Sequence, residues 1–131
     1  LSTTGRGRNF QKKYFDDLED VRNVVLEYLI KMDYNNKENL ILFYSNYVHL
    51  IIRLIQTMII SNQNYQAIIN ELNKIKCKKL FKDAKYYLNT SSFNINDTLC
   101  YHLFYKDKYK PLILYIRFKN YFKKFIKKIV Y

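Results

Sequence analysis

Asp16, Asp17, Glu19 and Asp20 place four carboxylates within five residues, a density that general acid–base chemistry can use when one acid is held protonated beside another. That chemistry needs a nucleophile or a proton partner, and no His or Cys stands near them in the chain. In the early turns of a helix the same acids meet the positive end of the helix dipole, so they read as structural. His49, alone in an aliphatic stretch, reads as a surface or hydrogen-bonded imidazole. Cys77, Cys100 and His102 cannot be drawn into a four-ligand metal set. Both glycines, Gly5 and Gly7, fall in the first eight residues, so no glycine-rich loop is available to cradle a nucleotide phosphate. An enzyme is the class these residues support least. No cofactor, metal or small-molecule substrate is expected.

Cationic chemistry is the alternative, and its placement is uneven. Residues 1–71 carry 8 Lys or Arg against 8 Asp or Glu, residues 72–131 carry 15 against 3, and the formal +12 is therefore all in the second half. Such asymmetry points to a polyanionic partner. Lys74, Lys76, Lys78, Lys79, Lys82 and Lys85 crowd one segment in which Asp83 is the only acid. Arg117, Lys119, Lys123, Lys124, Lys127 and Lys128 fill one arc of a final helix, opposite Leu114, Phe118, Tyr121, Phe122, Phe125 and Ile129. Neutralising several phosphates with such side chains binds RNA through counterion release, without reading its sequence. Arg6, Arg8, Lys12, Lys13 and, more weakly, Arg53 join the candidate contacts. Tyr86, Tyr87, Tyr101, Tyr105, Tyr109 and Tyr115 lie among the charges, where a few can stack on unpaired bases while most pack with only the hydroxyl wet.

The same final helix suits an anionic membrane surface, and its lysines alone would also serve plain solubility. The lipid and RNA readings separate on one observable: whether Phe118, Phe122 and Phe125 are covered by the rest of the chain. The apolar face is no wider than a helical bundle requires, so the expectation is that the fold covers it.

The elements that must position these groups are helices. With 131 residues, half of them hydrophobic, the chain supports one packed domain and not two. Two Gly and one Pro leave too few turn residues for a many-stranded sheet. The expected fold is all-α: a single bundle of four to five helices over residues 1–131, with an extended basic arm at 1–9 and a central apolar helix at about 38–60. Phe10, Tyr14, Leu18, Val21, Val25, Leu29 and Met32 recur at helical spacing and predict the first helix. Asn35 and Glu38 resemble a capping box for the second. On that second helix Ser45, Asn46, His49, Arg53, Gln56 and Thr57 share one arc, read as a wet or partner-facing stripe. Arg53 and its neighbours argue against a membrane span there. A third helix from Tyr65 slips phase near Lys78, as one kinked helix or two short ones. Residues 89–97 form a loop with Asn96 or Asp97 as the next cap, and Pro111 opens the last helix, to about Val130. Both cysteines read as small buried residues of a reducing, intracellular compartment. No charged segment followed by an apolar core marks a signal peptide.

Thr4-Gly5-Arg6, followed by Phe15-Asp16-Asp17-Leu18-Glu19-Asp20-Val21-Arg22-Asn23-Val24-Val25-Leu26-Glu27, resembles the opening of the mitochondrial branch of the large-subunit ribosomal protein family numbered twenty-nine. In that family a Thr-Gly-Arg segment precedes a helix with an acidic residue, Asp-Leu and an aliphatic run. The resemblance spans residues 4–27. It implies an rRNA-binding protein of the organellar large subunit, in the mitochondrial matrix, with rRNA and neighbouring ribosomal proteins as partners and the first two long helices as a hairpin. Arg6 and Arg8 would then insert between phosphates. The chain departs from the family in lacking Trp and the aromatic residue after Thr-Gly-Arg, and only His49 and Arg53 stand for its Arg-rich second helix. Read from charge placement alone, the competing class is a basic helical interaction module, such as a parasite or viral effector, that binds an acidic protein or an anionic membrane surface.

Overall fold

The computed structural model describes residues 13–62 and 64–130, and in them every regular element is helical. Six α-helices follow in order: α1 (Lys13–Lys31), α2 (Lys37–Ser61), α3 (Tyr65–Lys76), α4 (Lys79–Ala84), α5 (Ile95–Tyr105) and α6 (Tyr109–Val130), with a single 3₁₀ turn at Thr90–Ser92 before α5. The count exceeds the expected four to five because the slip near Lys78 is a true break: α3 ends at Lys76 and α4 begins at Lys79, with Cys77 and Lys78 as the caps between them. No described helix is long and apolar enough to cross a membrane.

Asparagines start three of these six helices. Asn36, Asn64 and Asn94 each accept a hydrogen bond on the side-chain oxygen from the backbone N–H three residues on, satisfying donors that a helix start leaves open. The cap of α2 is thus Asn36 rather than Asn35, and that of α5 is Asn94 rather than Asn96 or Asp97. Aspartates end two of them. After α1 the Tyr34 N–H reaches Leu29 O and the Asp33 N–H reaches Ile30 O; after α5 Lys108 and Asp107 repeat the pattern on Leu103 and Phe104. Both closures are Schellman motifs, and both put Asp at φ 61°, where glycine is usual. With its glycines spent in the first eight residues, the chain uses a short polar side chain at each left-handed position.

The core is built on α2, which supplies ten buried residues and packs against each of the other five helices. Tyr47, Val48, Ile51, Ile52, Ile55 and Ile59 are fully enclosed, with Ile68, Leu72 and Ile75 of α3, Leu80 of α4, Phe104 of α5 and Leu112 of α6 around them. α1 is held less deeply than its periodicity predicts. Phe15 is its one buried side chain, Leu18, Leu26 and Leu29 pack at the margin, and Val21, Val25 and Met32 are exposed. The face pressed on the bundle lies about 100° around the helix from the expected one, because a helix with apolar residues on two faces buries the one that meets α2. Glu19, on the packed side, fixes that choice. It accepts from the buried Tyr47 hydroxyl at 2.6 Å and from the Leu80 N–H at the start of α4 at 3.2 Å, joining three helices through one carboxylate. Burial, reinforced by that carboxylate, pushes the Tyr47 hydroxyl far above its ordinary pKa and keeps it a donor.

Candidate nucleic-acid interface

The polar arc of α2 turns inward in part, through Ser45, His49 and Gln56. His49 Nε2 donates to Asp97 Oδ2 at 2.8 Å, Gln56 Nε2 donates to Asp97 Oδ1 at 2.8 Å, and Arg53 Nη1 stands 3.5 Å from Oδ2. Asp97 has no exposed surface and sits in the first turn of α5, its own N–H held by Asn94. Phe93, stacked on the His49 ring at 4.9 Å, closes the outer side. Burial alone would raise the Asp97 carboxyl; the bonds from Gln56 and His49, with the Arg53 charge, outweigh it and hold the group below the usual carboxylate range. Ser45 of the same arc accepts the Asn89 N–H at 2.9 Å. Part of the arc expected to be wet or partner-facing is therefore the clasp that fastens α5 and its leading loop to α2, while Asn46, Arg53 and Thr57 remain exposed. Arg53, taken as a weak phosphate contact, already faces an acid, although more than half of its side chain remains in water.

Half of the Lys74 to Lys85 cluster is likewise answered from within. Lys76 bridges the Tyr105 carbonyl and Asp107 at 2.8 and 2.7 Å, Lys78 meets Asp16 of α1 at 2.6 Å, and Lys79 meets Asp83 one turn on at 2.8 Å. Lys76 holds the Asp107 carboxyl below its ordinary range, and Asp83 raises Lys79. Lys74, Lys82 and Lys85 are exposed and have no acid partner among the described residues. Lys82 and Lys85 border an open cleft of about 200 Å³ with Lys76, Phe81 and the half-exposed ring of Tyr105. The two unpaired ammonium groups, Lys82 and Lys85, beside an aromatic face can hold a phosphate and a stacked base, with Lys76 already bound to Asp107.

On α6 the separation seen in the sequence is real, but its orientation is reversed. Leu112, Ile113 and Ile116 are the residues that dock, and they lie on the side that the lysines occupy further along. Leu114, Phe118, Tyr121, Phe122, Phe125 and Ile129 face away from the bundle. Phe118, Phe122 and Phe125 are 67, 51 and 46 % exposed, which overturns the expectation that the fold covers them. From Tyr121 to Ile129 every residue is exposed. Lys119, Lys123, Lys124, Lys127 and Lys128 have no acid partner among the described residues, with Lys119 lying 5.9 Å over the Tyr115 ring. Arg117 likewise has no acid partner among the described residues but is held by a carbonyl, its Nη2 donating to Asn62 O at the end of α2 at 3.0 Å.

Lys13, first in α1, is exposed; Arg6, Arg8 and Lys12 fall outside the described residues. Tyr86 and Tyr105 are exposed, whereas Tyr101 is buried and its hydroxyl pushed up to about 12. Cys100 is buried as expected, its thiol raised to about 11; Cys77 is exposed, a correction that follows from its place at the end of α3, where the chain turns. Two residues that organise the polar structure went unrecognised in the sequence: Asp97, read only as a cap, and Glu19, read only as a dipole acid. Asn94 followed three residues later by Asp97 was the available signal. No family model, no curated protein and no solved structure matches the chain.

Proposed function

We propose that the protein is a non-enzymatic RNA-binding component of a ribonucleoprotein particle, gripping phosphates with lysines of α3, α4 and α6 while α2 serves as the central apolar scaffold. The observation that carries this reading is the cleft of Lys76, Lys82 and Lys85 beside the Tyr105 ring, which joins charge and a stacking surface in one place. The resemblance of residues 4–27 makes the organellar large ribosomal subunit the particle of choice, with rRNA and neighbouring ribosomal proteins as partners and Arg6, Arg8 and Lys12 as further contacts. Binding is then steeply salt-dependent, and each lysine removed from a phosphate lowers the slope of log K against log salt by about 1. Fluorescence anisotropy with a structured RNA across a salt series tests this. The Lys82→Gln, Lys85→Gln pair should lower the slope by roughly 1 to 2. Absent or salt-insensitive binding sinks the proposal.

The uncovered Phe118, Phe122 and Phe125 favour a second reading, in which α6 lies on an anionic membrane with its aromatic face in the headgroup layer. Sedimentation with phosphatidylserine-containing vesicles is the parallel measurement. Binding to vesicles and not to RNA replaces the first reading with the second.

A further inference from the structure

Two helices of this molecule present uncovered apolar stripes, and the stripes match in length and oppose in charge. On α1 the stripe is Val21, Val24, Val25, Tyr28 and Met32, from 37 to 64 % exposed; on α6 it is Phe118, Tyr121, Phe122, Phe125 and Ile129, from 46 to 67 % exposed. Each runs twelve residues from first to last, about 17 Å along the helix. α1 carries five acids against three bases, whereas α6 carries seven bases and no acid. Both helices pack on α2, and the α6 stripe points away from the bundle, so one copy cannot satisfy its own two stripes.

We propose that α6 of one copy docks antiparallel on α1 of a second copy, giving a heterologous, head-to-tail association. With Val21 opposite Ile129 and Met32 opposite Phe118, Glu27 falls beside Lys124 and Asp20 near Lys128, the two lysines that flank the α6 stripe. The antiparallel sense also sets the negative end of the α6 dipole against the positive end of α1. Because the two surfaces differ, the contact does not close on itself as a two-fold dimer does; it extends into chains or closes as a ring. The +12 of each copy opposes association, so a polyanion that neutralises the remaining lysines strengthens it. This contact goes beyond the RNA reading and does not depend on it.

Sedimentation velocity on the full chain at physiological salt tests the contact, using Phe118→Gln, Phe122→Gln to disable the α6 stripe and Val24→Gln, Tyr28→Gln to disable the α1 stripe. All four positions are exposed, and circular dichroism verifies that the helices remain. The native chain is expected to associate with rising concentration, and each variant alone to lose at least about tenfold in affinity. A mixture of the two variants should recover association but stop at one-to-one pairs, since only one intact α6 and one intact α1 are left to meet. A native chain that stays monomeric over the micromolar range overturns the proposal, whether or not it sediments with vesicles. An α1 variant that still dimerises alone shows an α6-to-α6 contact and overturns it too, as does a mixture that fails to pair. RNA affinity of the dispersed variants, read in the same salt series, reports on phosphate binding separately.

Discussion

Asp97 is where the sequence hides most of its meaning at the scale of single residues. Its carboxylate gathers His49, Arg53 and Gln56 from one helix and anchors the start of another. Replacing it with Ala removes two short hydrogen bonds to an ionised, enclosed group and should lower unfolding stability by about 2 to 3 kcal/mol in a urea titration. The pH dependence has a definite sign. A carboxyl held below its ordinary value in the fold contributes stability that is present above the unfolded pKa, about 3.9, and is lost as pH falls through the lower folded value. Asp97→Asn should flatten that part of the acid-unfolding curve. Glu19→Ala leaves the enclosed Tyr47 hydroxyl without an acceptor and should cost about 1 to 3 kcal/mol by the same measurement. The cysteines are expected to differ in reactivity: near about pH 8, iodoacetamide should label exposed Cys77 in the native protein and spare Cys100.

Single helices obey local rules that the sequence states openly. Asparagine caps and Schellman endings set their limits within a residue or two of where periodicity placed them, because the groups concerned are neighbours in the chain. One consequence is testable. Asp33 sits at φ 61° with an exposed side chain, so Asp33→Gly should stabilise the protein by about 0.5 to 1 kcal/mol, visible as a raised Tm. Which face of a helix is buried was less legible. Both α1 and α6 carry apolar residues around more than one side, and periodicity alone cannot rank two apolar faces. α1 buries Phe15 and turns Val21 and Met32 outward; α6 buries Ile113 and Ile116 and leaves the cleaner aromatic stripe bare.

Across the whole molecule, charge is the property that the sequence determined most firmly. The all-helical class followed from two glycines, one proline and helical spacing, and the basic surplus of residues 72–131 is fixed by composition whatever the fold. How much of that surplus is available to a partner was settled only in three dimensions. Asp16, sixty-two residues before Lys78, neutralises it; Asp107 answers Lys76; Asp97 answers Arg53. Those pairings join residues remote in the chain, and no local pattern encodes them. What stays unpaired among the described residues is a smaller field: Lys74, Lys82 and Lys85, Lys106 and Lys108 between α5 and α6, and the α6 lysines. Converting Lys123 and Lys127 together to Gln should weaken RNA binding at low salt and lower its salt slope by roughly 1 to 2, with unfolding stability unchanged because both are exposed. The sequence by itself determined the helical class, the approximate limits of the long helices and the sign of the charge, which depend on composition and on residues close together in the chain. Only tertiary structure decided which polar groups are spent inside the bundle and which apolar stripe is left outside it, since both depend on what α2 brings within reach.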